Sequence, residues 1–134
     1  MNTTVERPSP DVAVVALDGE LDASNYRELI DRGQQLYADG ARRLILDLTK
    51  LTYMSSSGIV ALHSLALVFR GQQPPDPEAG WSAFHAVSSD AADGDAVDQV
   101  HLVAPAPGIA ANLARTGLDR ILPTFADREA ALAG

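Results

Sequence analysis

An almost unbroken apolar run, Leu44-Ile45-Leu46-Asp47-Leu48, lies near the middle of the chain. Such a run is typical of a strand that is buried on both faces of a parallel sheet. The segment before it has the apolar spacing of one helix face, a second and almost wholly apolar helix is predicted after it, and further strand-like runs lie near both ends of the chain. Alternation of strands and helices predicts an α/β fold with a mostly parallel sheet.

The predicted sheet has about five strands and the chain about four helices. The strands are placed at Val5–Arg7, Val12–Leu17, Leu44–Leu48, Val100–Ala104 and Ile121–Leu122. A loop over 18–22 leads to a first helix near Ser24, with Asp22 or Ser24 as its N-cap and Gly40 as its stop. The later helices are placed at Ile59–Arg70, Pro107–Thr116 and Asp127–Leu132, with Gly117 after the second of these.

The length of 134 residues, 46% of them apolar, fits one domain over 1–134 with a single core. Residues 71–98 are rich in Gln, Pro, Asp, Gly and Ala and are interpreted as a flexible insertion, because too little chain follows them to form a second core. No cysteine is present, which excludes disulfides and thiolate metal sites.

The net charge is −8, from 10 basic and 18 acidic residues, and this disfavours binding to nucleic acids or anionic membranes. The most apolar stretch, Ile59–Phe69, is too short to span a bilayer. The first residues lack the basic and apolar regions of a signal peptide. We therefore expect a cytoplasmic protein without a membrane partner.

Three serines, Ser55-Ser56-Ser57, precede Gly58 and the second helix. A helix needs an N-cap, and serine supplies one, but this accounts for a single hydroxyl. The free N–H groups and dipole of a helix N-terminus also suit an anion, so the fold would tolerate a phosphate there. Ligands of such sheets gather at the carboxyl ends of the strands. The loops 18–23 and 52–57 are therefore expected to converge on one edge.

Enzyme chemistry is not expected from this sequence. A nucleophilic Ser56 would need a histidine in contact, yet His63 is about 10 Å along the same helix. His101 and His85 could approach only from elsewhere, and no Gly-x-Ser-x-Gly turn is present. Phosphate-binding loops and metal-ligand spacings are also missing, so no catalytic residue, metal, cofactor or obligate small molecule is predicted. Asp47, inside an apolar strand, is expected to anchor a loop.

The second helix is apolar on nearly all sides, so one face would meet water unless something covered it. Two covers are left open: a docked protein partner, or the piece Trp81-Ser82-Ala83-Phe84 of the insertion.

Three blocks of sequence resemble the STAS domain, and most closely the anti-sigma factor antagonists of bacteria. They are Gly19-Glu20-Leu21-Asp22-Ala23-Ser24, Ala41-Arg42-Arg43-Leu44-Ile45-Leu46-Asp47-Leu48 and Leu51-Thr52-Tyr53-Met54-Ser55-Ser56-Ser57-Gly58. The segment from Leu113 to Phe125 is similar to the last helix and strand of the family. The blocks occur in the family's order, and only the insertion falls outside the similarity.

The resemblance implies partner switching. Family members bind an anti-sigma factor that is also a serine kinase, which phosphorylates them and breaks the complex, and a phosphatase resets the switch. The acceptor serine aligns with Ser56, and the family's acidic loop residue with Asp22. Ser55 stands where the family has an aspartate, which makes it an alternative acceptor. The partner-binding residues implied are Asp22, Ser24, Ser55, Ser56, Ser57, Gly58 and Ile59.

Two other functions are kept open. Ser55 in place of the aspartate favours a STAS module that is never phosphorylated and assembles a signalling scaffold or a transporter-associated complex. The second is a sensor that binds a small ligand or nucleotide at the carboxyl edge of the sheet, although the chain lacks a phosphate-cradling loop.

Overall fold

The computed structural model describes residues 1–71 and 99–133. In this part of the chain, five strands form one sheet in the order β1-β2-β3-β4-β5. Their bounds are Asn2–Ser9 (β1), Val12–Leu21 (β2), Arg43–Met54 (β3), Val100–Val103 (β4) and Thr124–Phe125 (β5). The first strand is antiparallel to β2, and the remaining neighbours pair in parallel. The prediction of a mostly parallel, mixed sheet is confirmed.

Four α-helices belong to the same described residues, as predicted, together with a 3-10 turn at Leu118–Arg120. The helices are α1 (Tyr26–Ala38), α2 (Ser56–Phe69), α3 (Pro107–Thr116) and α4 (Arg128–Ala133). Gly117 follows α3 with a φ of 78°, and Gly40 lies beyond α1 with a φ of 112°, conformations that glycine adopts readily. Both predicted helix stops are confirmed.

The loop predicted over 18–22 is wrong for most of its length. Strand β2 continues to Leu21, because Asp18 to Leu21 pair with Lys50 to Met54 of β3. The same pairing makes Thr52 to Met54 part of β3, where a loop was expected. Two register shifts in this stretch, one beside Gly19 with its φ of 113°, break the strict alternation that sequence patterns detect.

The first helix begins two residues later than predicted. Its N-cap is Asn25, and neither Asp22 nor Ser24 caps it. The Asp22 carbonyl accepts the N–H groups of Asn25 and Tyr26, which forms a separate turn before the helix.

The strand predicted at Ile121–Leu122 is also wrong, because these residues lie in the turn that precedes β5. They are almost fully buried, so their apolar character reflects core packing and not sheet pairing.

Helices α1, α2 and α3 pack on one face of the sheet and bury the main core, in which Leu44, Leu46 and Leu102 are fully buried. The opposite face holds a smaller cluster beneath α4, built from Val12, Val14, Ile45, Val103 and Ala131. This two-sided burial explains the apolar run of β3. Helix α2 is buried on nearly all sides, but the predicted insertion at 71–98, with Trp81 to Phe84 as a cover, lies outside the described residues except for Gly71.

Asp47 was expected to anchor a loop, but it instead ties together its own strand, β3, and the last helix. Its carboxylate accepts hydrogen bonds from the N–H and hydroxyl of Thr49, at 3.0 and 2.5 Å, and from Arg128 Nε at 2.7 Å. Arg128 also pairs with Glu6, at 2.7 Å. Burial raises the pKa of Asp47, but the bonds from Thr49 and Arg128 outweigh it and hold the pKa below its ordinary value.

We expect Asp47→Asn to lower the free energy of unfolding by about 1–2 kcal/mol at pH 7, since charge-assisted bonds are lost. The folded-state pKa is depressed, so the carboxylate stabilises fully above its unfolded pKa and loses this effect as the pH falls through the folded value. Urea unfolding at pH 7 and pH 2 should therefore show a difference only at pH 7. Asn in place of the exposed Asp119 is the control. A deficit that is equal at both pH values would contradict the charge argument.

Candidate functional site

A two-stranded ribbon projects beyond the rest of the sheet. Strand β4 pairs with β3 only from Leu44 to Asp47, whereas β2 and β3 continue together until Leu21 faces Met54. Asp22 and Ser55 therefore leave the ribbon side by side, and the N–H of Ser55 donates to the Leu21 carbonyl at 3.0 Å. The segments 18–23 and 52–57 therefore meet at the carboxyl edge of the sheet, as the sequence predicted.

The three serines occupy different environments at the start of α2. Ser55 is the N-cap by backbone geometry, but its Oγ is buried and has no hydrogen-bond partner in the described residues. Ser56 is exposed in the first turn, and Ser57 is half-buried. The helical ladder begins where Ile59 N–H donates to the Ser55 carbonyl, at 3.2 Å. The Ser56 hydroxyl thus lies in solvent at the positive end of the helix dipole.

Asp22 is held in a tight hydrogen-bonded turn beside the serines. Its Oδ1 accepts the Ser24 hydroxyl at 2.6 Å and the Ser24 N–H at 2.9 Å, while its own N–H donates to Asn25 Oδ1 at 2.9 Å. The bonds from Ser24, the hydroxyl first, lower the pKa of Asp22. The turn therefore presents a fixed negative charge near neutral pH.

A groove of about 530 Å³ runs between the start of α2 and helix α3. The amide of Asn112 donates to the Met54 carbonyl at 3.2 Å and so ties α3 to the end of β3. Tyr53 is 50% exposed at the rim. The residues that line the groove are Tyr53, Met54, Ser55, Ser56, Ile59, Asn112, Arg115 and Thr116.

The wall that α3 contributes was missed by the sequence analysis. Asn112, Arg115 and Thr116 are spaced three and four residues apart, which places them on one face of a helix. These three polar residues stand out on a helix whose other side chains are mostly small or apolar, and this was the available signal for a functional face. It could not indicate that this face turns toward the serines.

Gly58 and Ile59 follow the three serines in α2, and both are buried. Ile59 is 2% exposed and lines the base of the groove. A Cβ atom at position 58 would lie 2.4 Å from Met54 Cγ, so the buried Gly58 allows α2 to start directly against the ribbon. Gly58 can therefore affect partner binding only indirectly, through the position of α2. Ile59 can contact a partner only from within the groove.

Neither of the two described histidines, His63 and His101, lies beside the serines. His63 is buried within α2, and His101 Nδ1 bonds the Ala131 carbonyl at 2.8 Å on the other face of the sheet. His85 falls outside the described residues. No cluster of three His, Asp or Glu side chains suited to a metal ion occurs within 1–71 and 99–133. Over the same residues, no helix combines the length and apolarity needed to cross a membrane.

Comparison with known proteins identifies the family. The profile described as "Mlab, STAS domain" matches residues 5–74, slightly more than half of the chain. The chain belongs to the STAS domain family. None of the curated protein sequences compared with it matches significantly.

Solved structures share the whole fold at low sequence identity. An anti-sigma factor antagonist from Mycobacterium paratuberculosis is 22% identical with a TM-score of 0.67, over 98% of this chain and 91% of that one. A putative anti-sigma factor antagonist from Thermotoga maritima is 15% identical with a TM-score of 0.66, over 98% and 91%. Unphosphorylated SpoIIAA, an anti-sigma factor antagonist, is 18% identical with a TM-score of 0.63, over 96% and 92%.

Proposed function

We propose that this STAS domain is an anti-sigma factor antagonist that binds an anti-sigma factor of the serine kinase type and is switched by phosphorylation of Ser56. The observation that carries the proposal is the exposed Ser56 hydroxyl in the first turn of α2, at the edge of a groove. Fold neighbours that are anti-sigma factor antagonists support it, and SpoIIAA is among them in both its unphosphorylated and phosphorylated forms.

The proposal gives each part of the site a role. Asp22, Ser24 and the serine segment Ser55–Ile59 form the docking edge, and the domain itself performs no catalysis. It works in the cytoplasm, and a cognate phosphatase removes the phosphate and restores binding. Ser56 is favoured over Ser55 as the acceptor, because the Ser55 hydroxyl is buried whereas Ser56 is exposed.

The position of Ser56 suits a switch that leaves the fold intact. A phosphate adds roughly −1.5 to −2 charge at neutral pH, and a helix N-terminus stabilises negative charge. The added charge therefore costs the folded domain little. At a protein interface the same charge has to be desolvated or paired, and an unpaired buried charge is strongly unfavourable. Phosphorylation is thus expected to change partner binding more than stability.

Incubation of the full chain with ATP and the anti-sigma kinase encoded nearest to it tests the proposal. Intact-mass analysis should show the gain of one phosphate, and peptide mapping should place it on Ser56. Ser56→Ala should gain none, whereas Ser55→Ala and Ser57→Ala should gain one. Absence of phosphate on the parent chain, or a phosphate on another residue, would refute Ser56 as the acceptor.

A second function is favoured by one specific observation. Ser55 replaces the aspartate that precedes the acceptor in the family, so the site lacks a carboxylate that the kinase would meet. The alternative is a STAS interaction module that is not phosphorylated and assembles a signalling scaffold or a transporter-associated complex. Co-purification discriminates the two, because a scaffold role predicts a partner that is not a kinase.

A further inference from the structure

A single arginine lines the same groove as the proposed acceptor serine. Arg115 of α3 and Ser56 of α2 line the same cavity, whose walls come from segments far apart in the sequence. Of the residues that line the groove, Arg115 alone carries a full positive charge.

The arginine is positioned by contacts with the same edge of the sheet. Its guanidinium donates to Asn112 Oδ1, and the Asn112 amide donates in turn to the Met54 carbonyl, two residues before Ser56. Arg115 itself is exposed. The acceptor in its bond to Asn112 is uncharged, so a doubly charged phosphate would outcompete it, because the phosphate adds ion-pair attraction and can accept two parallel N–H bonds from the guanidinium.

We propose that Arg115 binds the phosphate of phosphorylated Ser56 within the same chain. The guanidinium would pair with two phosphate oxygens. Ser56 is in the first turn of α2, where the N–H groups have no intrahelical partners and would also donate to the phosphate. This inference rests on the proposed function, because it requires a phosphate on Ser56. It deepens that function: the phosphate is held in the groove, where it occupies the docking edge.

The second ionisation of the phosphate reports this contact directly. A free phosphoserine has a second pKa near 6. A guanidinium in contact favours the dianion and lowers that pKa, whereas Asp22 on the neighbouring turn raises it in every variant alike. The difference in this phosphate pKa between chains with and without Arg115 therefore measures the effect of the arginine alone.

Phosphoserine incorporated during translation in place of Ser56 makes the test independent of any kinase. A ³¹P NMR titration of the full chain should give a second pKa lower by about 0.5–1 unit than that of the same chain with Arg115→Ala, allowing for a groove open to solvent. Arg115→Lys keeps the charge without the bidentate geometry and should fall between the two.

Arg120→Ala is the matched control. It removes one exposed positive charge near the end of α3 but not from the groove, so its phosphate pKa should match that of the parent. Equal pKa values for the parent and Arg115→Ala would overturn the proposal, as would an equal shift from Arg120→Ala. Failure of the kinase to modify Ser56, with the pKa shift present, would instead refute the proposed function and leave this contact intact.

Discussion

Replacement of Gly58 by alanine is expected to lower the free energy of unfolding by about 1–3 kcal/mol, the usual cost of overpacking a core. The new Cβ would lie 2.4 Å from Met54 Cγ and 3.1 Å from Leu21 Cγ and Cδ2. Met54 and Leu21 are 1% and 0% exposed, so neither side chain has open space to move into. The higher helix propensity of alanine, up to about 1 kcal/mol, offsets only part of this cost.

Gly108→Ala is the matched control, because Gly108 is also in the first turn of a helix, and a Cβ there meets no atom within 4 Å. It should be neutral or stabilising by up to about 1 kcal/mol. Urea unfolding of the two variants and the parent measures the difference. Equal midpoints for the two alanine variants would mean that Gly58 is not needed for close packing. A lower midpoint for Gly58→Ala alone would show that Gly58 lets α2 begin close to the ribbon. The position of Ser56, two residues earlier in the same helix, then depends on this glycine.

The central strand could be predicted because both of its faces are covered. Leu44 and Leu46 enter the core beneath α1 to α3, and Ile45 enters the cluster beneath α4, so the apolar run has no polar alternation. The ribbon could not be predicted in the same way. Asp18, Glu20 and Thr52 are exposed, and the register shifts remove the period of two that a half-buried strand shows.

The side of the site that holds Ser56 and Asp22 could be predicted from the sequence, and the side that α3 contributes could not. The resemblance indicated Ser56 and Asp22, and parallel pairing brings their segments together. Asn112 and Arg115 reach the same groove only because α3 packs against the end of β3, and this packing depends on tertiary contacts that no local pattern encodes. The burial of the Ser55 hydroxyl could not be predicted either, because the sequence does not distinguish three adjacent serines until the first residue of the helix is known.

Ser56→Asp is expected to weaken binding to the anti-sigma partner by at least about tenfold, or 1.4 kcal/mol. The carboxylate is a smaller charge than a phosphate, but it stands at the same exposed position in the first turn of α2. Docking would have to desolvate it, and this cost is much larger for a carboxylate than for the hydroxyl. Ser56→Ala should bind as tightly as the parent and should remain bound when ATP is added. Titration calorimetry with the purified partner measures all three affinities.

The loss of affinity should come from the interface and not from unfolding. An acidic residue in the first turn interacts favourably with the helix dipole, so Ser56→Asp should melt at or above the temperature of the parent. Gln34→Glu, on the exposed side of α1, adds the same unit of negative charge far from the serines and controls for net charge. Equal affinity of Ser56→Asp and Gln34→Glu for the partner would show that charge at Ser56 does not govern docking, since the two chains then differ only in where the charge lies.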